Sequence, residues 1–417
     1  MKSQKEYLEI IQSLPHRGVG TTNEKRAAGL LRKEFMEMGF EPKIQGFKIF
    51  KYNWIAYLVE FSLFGFSGVA LLVGADILSI IFLLFGCSSF FGFPIEWDDA
   101  FYKHLFPGTS QNISIEIAPE TKVQKTLVIN AHYDTGKVIL GAQIFGRIFD
   151  TLLGRKAAMN SSVFKIRFLP KIFQTPAFLT DSIIVAQIIA LVLAYLGYDL
   201  YLFFAIYGTF WSFAHTIFVT HVIVSPFVPG ALDNGSSVVV GLRLAEYFKD
   251  KPLEYTRLVI LNDGAEEIRL AGKGVESFYK DMEYDRDSTY FLNLECLGSK
   301  NIVFTEGESD NRNGIHMNDA KSFRFLRSFV ENSRYKDSSK FTYLPICSDA
   351  SALEREGAKV ISTMLSMEDN GIDGEYHTMN DVAENLNFST MEKAEEMLKD
   401  FVVEFDRNFS VGKQPFS

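Results

Sequence analysis

The sequence predicts an α/β protein, a three-layer sandwich with a mixed, mostly parallel sheet, interrupted by two inserted transmembrane helical hairpins. Three observations predict this architecture. Near-continuously apolar runs of strand length alternate with amphipathic helical segments, as in sheets covered by helices on both faces. Two much longer apolar runs interrupt that alternation. Polar and charged residues gather directly after the strand-like runs, where sheets of this class bind ligands.

The predicted helices and strands outside the long apolar runs can be assigned in chain order. The segment "TNEKRAAGLLRKEFMEMG" predicts an amphipathic helix with a polar cap at its start and Gly39 at its end. Later helices are predicted for "SSVVVGLRLAEYFKD" and "GVESFYKDM". Four runs predict strands: "NISIEIA", "TLVINAHYD", "RLVILND" and "YFLNLECLG".

The two long apolar runs comprise residues 54–93 and 182–225. A short break, "GAD" in the first run and "GYD" in the second, divides each into halves of about membrane-spanning length. Each run therefore predicts a helical hairpin, and together they predict four spans. Buried helices that cap a soluble enzyme are the alternative, and the length and uniform apolarity of the runs disfavour it.

The distribution of cationic residues predicts the orientation of the hairpins. Lys and Arg are absent from residues 52–102 and 172–242, so both hairpin tips are uncharged or acidic, whereas the flanks are basic. Because basic flanks remain in the cytoplasm, we expect an integral, multi-pass membrane protein with its soluble domain on the cytoplasmic side. The charged N-terminus has no uninterrupted apolar core, so no signal peptide is expected.

The hairpins divide the chain into one discontinuous domain and two inserts. Residues 1–53, 94–138 and 226–417 are predicted to form the soluble domain, and residues 54–93 the first hairpin. Residues 139–225 contain a basic amphipathic segment followed by the second hairpin. The basic segment lies either along the inner membrane surface or on the soluble domain as an ordinary amphipathic helix.

Composition excludes several classes of function. The formal net charge of −9 argues against nucleic acid as a partner. The three cysteines, Cys87, Cys296 and Cys347, are far apart in the sequence and have neither CxxC nor zinc-ribbon spacing. They therefore predict no disulfide framework and no cysteine-based metal site.

Residues that can bind metals or transfer protons follow the predicted strands or lie in nearby loops. Because the ends of parallel strands converge, this set can form one site. Its members are His132, Asp134, Asp233, Glu266, Glu267, Glu295 and His377.

These residue types suit a pair of zinc ions. A pair of metals needs a bridge, and a short carboxylate such as Asp233 can provide it. Each metal then needs one imidazole and one further carboxylate. His132, Glu267, Glu295 and His377 meet that requirement, while cobalt and manganese remain alternatives to zinc as the native metal.

The adjacent glutamates Glu266 and Glu267 are predicted to have different roles, proton transfer and metal binding. A zinc-bound water has a pKa of roughly 7, and a free carboxylate nearby must take its proton and pass it to the leaving amine. Glu266 suits this role because its neighbour Glu267 is a predicted ligand. Asp134 is predicted to orient His132 unless it is an unrelated residue at a strand end. Tyr376 either donates to a developing oxyanion or packs as an ordinary aromatic residue.

Five segments carry these side chains in order: "INAHYDTG", "GALDNGSSVVVGLRLAEYF", "DGAEEIRLAGKG", "FLNLECLG" and "EYHTMND". In this order they resemble the co-catalytic zinc metallopeptidases of the bacterial leucyl aminopeptidase and glutamate carboxypeptidase type, peptidase family twenty-eight. The opening helix and strand and the late unit "SDASALEREGAKVISTML" are similar to the same family. The resemblance covers nearly all of the chain outside the hairpins.

The resemblance implies the zinc exopeptidase fold, two zinc ions per chain and peptide substrates. It implies that Asp233 bridges the metals, that Glu266 is the general base and that Asp134 orients His132. The metal ligands implied by the family pattern are His132, Asp233, Glu267, Glu295 and His377.

Three features depart from the family pattern. The position of Glu295 is commonly Asp, and Glu is more typical there of carboxypeptidases, so removal of N-terminal or of C-terminal residues remains open. The sequence "SDA" at 348–350 replaces a frequent "SDH". A hairpin separates His132 from Asp233, where the family has about ten residues, and an insertion in a surface loop accounts for this separation.

The leading hypothesis is therefore a membrane-anchored, aminopeptidase-like zinc exopeptidase that acts on short peptides, with the lipid membrane as its other predicted partner. Two alternatives retain the fold. A glutaminyl cyclase-like enzyme would use a single zinc ion, and a receptor-type binding module would have lost its metals. No protein partner is predicted.

Overall fold

The computed structural model describes residues 2–92, 97–139, 178–268, 271–309, 315–344, 347–369, 371 and 374–409. The strands are β1 (Lys43–Phe50), β2 (Pro107–Ile117), β3 (Lys125–His132), β4 (Thr256–Asp263), β5 (Thr289–Glu295), β6 (Asn301–Ser309), β7 (Ile315–Met317), β8 (Ser339–Leu344) and β9 (Lys359–Met367). The helices are α1 (Gln4–Ile11), α2 (Thr22–Glu37), α3 (Trp54–Leu72), α4 (Asp76–Phe91), α5 (Lys103–Leu105), α6 (Phe178–Tyr195), α7 (Tyr201–Val224), α8 (Ser237–Lys249), α9 (Lys273–Asp281), α10 (Ala320–Glu331), α11 (Asp349–Arg355) and α12 (Phe388–Asn408).

One mixed sheet of nine strands organises the described chain outside α3, α4, α6 and α7. Its order is β1-β2-β4-β3-β5-β9-β6-β7, and β8 pairs with β6 in parallel. The four central strands β4, β3, β5 and β9 are mutually parallel, whereas β2 is antiparallel to β4 and β6 is antiparallel to β9. The four strands predicted from their apolar runs are β2 to β5, so the predicted mixed sheet with a parallel centre is confirmed. Over the whole described sheet, four strand pairs are parallel and four are antiparallel.

Helices cover both faces of the sheet, because successive residues of a strand point to opposite sides. Leu127 and Ile129 of β3 contribute to a large core shared with α1, α2, α8 and α12. The residue between them, Val128, contributes to a second core formed with α9 and α11. The predicted three-layer sandwich is therefore confirmed.

The two long apolar runs form helical pairs, α3 with α4 and α6 with α7. Each pair turns at a glycine with positive φ, Gly74 (76°) and Gly197 (75°), as the two sequence breaks predict. The pairs pack against each other through a shared apolar cluster that includes Phe61 and Phe64 of the first pair and Ile184 and Val219 of the second.

The predicted number of four spans is not confirmed. Among the described residues, α3 with 19 residues and α7 with 24 are long and apolar enough to cross a membrane. Helix α4 has 16 residues and ends at Gly92, whose φ is 67°, so it is only about 24 Å long against a hydrocarbon core of about 30 Å. Thr180–Tyr195 in α6 is also apolar but shorter than a full span within the described residues, and the chain before Phe178 lies outside them. The predicted basic amphipathic segment lies largely outside the described residues.

Candidate active site and metal centre

The carboxyl ends of three neighbouring strands place most of the predicted site residues at one edge of the sheet. His132 is the last residue of β3, and Glu295 is the last residue of β5. Strand β4 lies next to β3, and the chain beyond it carries Glu266 and Glu267 after a turn in which Ala265 has a φ of 59°. Because the three strands are parallel, these side chains converge, as the sequence predicts.

Asp233 reaches the same edge from the irregular helical turn Ala231–Ser236 that precedes α8. The next residue, Asn234, connects this turn to the end of β5. Its side chain donates to the carbonyl of Leu294 (2.8 Å) and accepts from the backbone N–H of Cys296 (2.9 Å). The turn that carries Asp233 is thus fixed beside the strand that carries Glu295.

The five predicted ligands form two groups that share Asp233. Subsite 1 comprises His132, Asp233 and Glu295, and subsite 2 comprises Asp233, Glu267 and His377. In each subsite the three ligand atoms lie within 4.8 Å of one another.

The two carboxylate oxygens of Asp233 face different histidines. His132 Nε2 lies 3.3 Å from Asp233 Oδ1 and 3.1 Å from Glu295 Oε1. His377 Nε2 lies 3.4 Å from Asp233 Oδ2 and 3.3 Å from Glu267 Oε1. This is the arrangement that a carboxylate bridging two metals requires.

The donor set fits zinc, since imidazole nitrogens and carboxylate oxygens are ordinary zinc ligands. Asp233 Oδ2 and Glu295 Oε2 are buried and have no hydrogen-bond partner among the described residues. Burial of a carboxylate oxygen without a partner is costly, so such atoms in native structures need an explanation. A cation held between the ligands would supply the missing interaction.

Backbone close to subsite 2 leaves room only for glycine at position 136. A Cβ there would lie 2.4 Å from His377 Cε1 and 2.6 Å from Glu267 Oε2. The neighbouring carbonyl of Lys137 accepts a hydrogen bond from His377 Nδ1 (2.9 Å). That bond fixes the imidazole tautomer and leaves Nε2 facing the carboxylates.

Asp134 is fully buried behind both subsites. Its Oδ1 lies 3.6 Å from His132 Nδ1, an ion-pair distance rather than a hydrogen bond. Its two oxygens also accept hydrogen bonds from the backbone N–H groups of Glu266 (3.1 Å) and Glu267 (3.0 Å). Asp134 therefore contacts the predicted base and a predicted ligand as well as the histidine that it was predicted to orient.

A small cleft opens beside subsite 1. Glu266 and Tyr376 both line it, and the ring of Tyr376 packs on the imidazole of His377 with centroids 4.3 Å apart. The position of Tyr376 is thus compatible with either predicted role. Most other lining residues are apolar or uncharged: Leu232, Cys296, Leu344, Cys347, Ser348, Leu365, Ser366 and Met367.

Burial and proximity shift the pKa values of the site residues. Burial raises the pKa of Glu267 and of Glu295 to about 7, and it raises the pKa of Glu266 well above its usual range. Burial alone would lower the pKa of His377, but the charges of Glu267 and Asp233 raise it to about 10. These groups therefore retain protons near neutral pH, and a bound divalent cation would displace them.

Arg17 supports the site although the sequence analysis did not single it out. It is fully buried, and its guanidinium donates to the carbonyls of Tyr133 (2.6 Å), Pro229 (2.8 Å) and Gly230 (2.6 Å). It joins the loop after β3 to the loop before Asp233. Its local sequence carries no signal, because an Arg in a Pro- and Gly-containing turn is usually exposed.

Asp381 is a second buried residue that the sequence analysis did not single out. Its carboxylate accepts hydrogen bonds from the backbone N–H groups of Leu232 (2.5 Å) and Asp233 (3.2 Å). Burial raises its pKa to about 7. The available signal was its position in "EYHTMND", four residues after His377.

Comparison with known proteins identifies the family that this chain resembles. Residues 214–402 match the model of peptidase family M28, and this region contains Asp233, Glu266, Glu267, Glu295 and His377. No curated protein sequence matches the chain.

Several solved structures share the fold. The aminopeptidase from Aneurinibacillus sp. strain AM-1 is 11% identical, with 99% of this chain and 96% of that chain covered and a TM-score of 0.54. The zinc aminopeptidase BSAP from Bacillus subtilis is 13% identical, with 96% and 95% covered and a TM-score of 0.52. The glutaminyl cyclase from Bacteroides thetaiotaomicron is 11% identical, with 96% of each chain covered and a TM-score of 0.53.

At these identities the structural likeness establishes the fold. The match of residues 214–402 to a peptidase family is the finding that points to peptidase chemistry. The resemblance predicted from the five ordered segments is confirmed. The chain has the zinc exopeptidase fold and its residues 214–402 match the model of peptidase family M28, and together these findings support a metallo-exopeptidase.

Proposed function

We propose that this chain is a membrane-anchored, aminopeptidase-like exopeptidase that uses two zinc ions and Glu266 to remove single residues from short peptides. One observation carries the proposal. The two oxygens of Asp233 each face one histidine, His132 or His377, and each histidine is paired with one further carboxylate. A site for one metal would need only one of these sets.

His132 and Glu295 would hold one zinc ion, Glu267 and His377 the other, and Asp233 would bridge them. When bound, the zinc ions would polarise the scissile carbonyl and activate a water molecule for attack. Asp134 would hold His132 from behind. Lys137 would hold His377 through its backbone carbonyl, so both imidazoles are oriented before substrate arrives.

Glu266 would act as the general base. It lines the cleft and is not among the atoms that define either subsite, so its carboxylate is free to take the proton of the attacking water. Burial raises its pKa, which favours retention of that proton until the leaving amine accepts it. Tyr376, which lines the same cleft, would donate to the developing oxyanion.

The cleft also supports a preference for apolar substrate residues. Leu232, Leu344, Leu365 and Met367 line it, and the charged groups on its wall are Glu266 and Glu295. An apolar side chain of the substrate would bury surface there at no cost in unpaired polar groups.

Membrane anchoring is supported by the length of the helices α3 and α7 and by the outer surfaces of α4 and α7. Large apolar side chains that are more than half exposed include Ile77, Leu84, Phe203 and Ile217. Such a patch is costly in water and suits a lipid environment. The basic flanks of both hairpins favour a cytoplasmic site.

The first experiment would compare the detergent-purified, zinc-loaded chain with its Glu266→Gln variant on a mixed peptide library read by mass spectrometry. Loss of single N-terminal residues by the wild type alone would support the aminopeptidase proposal and the role of Glu266. Loss of C-terminal residues would keep the mechanism and would reassign the enzyme as a carboxypeptidase. No cleavage by either protein would contradict the proposal.

Anchoring would be tested separately. The chain should remain with membranes after alkaline carbonate extraction, and a protease added outside sealed cells should leave the soluble domain intact. Recovery in the soluble fraction would contradict anchoring, and digestion of the domain in sealed cells would contradict the cytoplasmic orientation.

A glutaminyl cyclase-like function is the second candidate, because a glutaminyl cyclase shares the fold over 96% of this chain. Zinc content discriminates between the two, with about two ions per chain expected for hydrolysis and about one for cyclisation. Peptides with N-terminal glutamine would report cyclisation directly as a loss of ammonia.

A further inference from the structure

Residues beside both helical pairs, α3 with α4 and α6 with α7, form hydrogen bonds with ligands of subsite 2. Asn53 immediately precedes α3, and Lys137 contacts the end of α7. These two residues contact the ligands Glu267 and His377, which are the two ligands of subsite 2 that subsite 1 does not share.

The side chain of Lys137 caps the carboxyl end of α7. Its ammonium donates to the carbonyls of Ile223 and Ser225, at 2.8 Å each. A cation at this end of a helix also interacts favourably with the helix dipole. The ammonium lies 4.9 Å from the centre of the Phe227 ring, which adds a cation–π contact.

The backbone of Lys137 holds His377 at the same time. Its carbonyl accepts from His377 Nδ1 at 2.9 Å, and the carbonyl of His377 accepts from the N–H of Ile139 at 3.1 Å. The same backbone pairs with the chain that leaves α7, since Val138 donates to Pro226 at 3.0 Å. A displacement of α7 would therefore move the carbonyl that orients a ligand of subsite 2.

Asn53 makes the corresponding connection from the first pair. It is buried, and its side-chain amide donates to the backbone carbonyl of Glu267 at 3.3 Å. The helix that it precedes, α3, begins one residue later. A displacement of α3 would therefore act on Glu267, the other ligand that belongs to subsite 2 alone.

The helices α3 and α7 are packed closely together. The ring of Phe61 in α3 lies 4.7 Å from the imidazole of His215 in α7. A Cβ on Gly68 of α3 would lie 1.9 Å from the hydroxyl of Thr209 in α7, so the two backbones approach as closely as small residues permit.

Subsite 1 is built differently. The ligands that belong to subsite 1 alone are His132 and Glu295, and they are the last residues of the parallel central strands β3 and β5. Their positions are set by the sheet and its two buried cores.

We propose that Asn53 and Lys137 are positioning residues that make the affinity of subsite 2 for its metal depend on the packed membrane helices, while subsite 1 is independent of them. The inference rests on the proposed two-metal function. It predicts that the lipid-embedded helices regulate the enzyme by controlling whether the second metal is retained.

The test is a metal titration of the full chain in lipid nanodiscs after removal of metal by EDTA. Binding of cobalt would be followed by its visible absorption, and bound zinc would be counted by elemental analysis after equilibrium dialysis. The variants are Lys137→Ala and Asn53→Ala. Lys251→Ala and Asn332→Ala serve as controls, because Lys251 lies over the Tyr247 ring and Asn332 donates to the backbone carbonyl of Ser328 far from either subsite.

In both test variants we expect the first ion to bind as in the wild type and the second to bind about 10- to 100-fold more weakly. Retention of the first ion shows that the domain is folded. Lys137→Arg should restore the second affinity, because a guanidinium can donate to the same helix-end carbonyls. The two control variants should match the wild type.

Two results would overturn the inference. The test variants could bind both ions with wild-type affinity, or they could lose both ions equally, which would indicate a general loss of structure. A wild-type chain that binds fewer than two ions would instead contradict the proposed two-metal function, and the inference with it.

Discussion

The carboxylate of Asp134 accepts a hydrogen bond from the backbone N–H of Glu266 at 3.1 Å. Asp134, two residues after the end of β3, thus fixes the loop that follows β4, and a second hydrogen bond from the backbone N–H of Glu267 at 3.0 Å completes the connection. One buried carboxylate therefore positions the proposed base, one proposed ligand and, from 3.6 Å, the imidazole of His132.

The substitution Asp134→Asn should weaken zinc binding about 10- to 100-fold and reduce kcat. An asparagine side chain has one acceptor oxygen. Its amide nitrogen would therefore face one of the two backbone N–H groups from which Asp134 now accepts hydrogen bonds. Zinc affinity would be measured by competition with a chromophoric chelator. Wild-type affinity in the variant would show that Asp134 does not position the site.

The substitution Gly136→Ala should abolish binding at subsite 2 and leave about one zinc ion per chain. The added Cβ would lie 2.4 Å from the His377 ring and 2.6 Å from a Glu267 oxygen, so one or both ligands must move. Elemental analysis would measure the zinc content. Gly46→Ala is the matched control, since a Cβ at Gly46 meets no atom within 4 Å, and it should retain two ions.

The substitution Arg17→Met should lower the free energy of unfolding by about 3–5 kcal/mol, because it leaves three carbonyls without a donor and the buried Asp381 without its cation. Urea unfolding of the full chain, followed by circular dichroism, would measure the change. Arg334→Met, at an exposed position, should have little effect. A similar stability in both variants would contradict this role for Arg17.

The metal-free chain should lose stability as pH rises from about 5 to 9, whereas the zinc-loaded chain should not. Glu267 and Glu295 have folded-state pKa values of about 7, raised by burial above their ordinary value. His377 reaches about 10 through the nearby carboxylates despite its burial. Each group binds protons more tightly when folded, so its contribution is complete below its unfolded pKa and is lost as pH rises through its folded pKa.

Bound zinc would replace these protons and would remove the penalty at high pH. The measurement is the Tm of EDTA-treated and zinc-loaded chain at pH 6 and pH 8.5. Zinc should raise the Tm most at pH 8.5. A metal-free Tm that increases between the two pH values would have the wrong sign for this account.

Much of the site could be predicted from the sequence because it is built at strand ends. An apolar run that is buried on both faces predicts a central parallel strand, and parallel strands converge at their carboxyl ends. His132 and Glu295 could therefore be assigned to one site although 163 positions separate them. Asp233 and His377 required the types of their side chains and the ordered family motifs in addition.

The supporting residues were less accessible to prediction. Arg17 and Asp381 look like ordinary loop residues, since nothing in a local sequence reports that a charged side chain is buried. For the apolar helices, the sequence predicted more membrane spans than the described residues support. Composition identified four apolar helices, but among the described residues only α3 and α7 have the length and apolarity of a span.

The sequence by itself determined the α/β class, the apolar hairpins, the set of metal-binding side chains and the pairing of Glu266 with Glu267. These follow from local patterns, namely hydrophobic periodicity, residue type and position after a strand. Only the tertiary structure decided how the five predicted ligands divide into two subsites around Asp233, and that Asn53 and Lys137, beside the ends of α3 and α7, contact ligands of the same subsite. Those relationships depend on distances between residues that are remote in the chain, and such distances are set by packing of the whole domain.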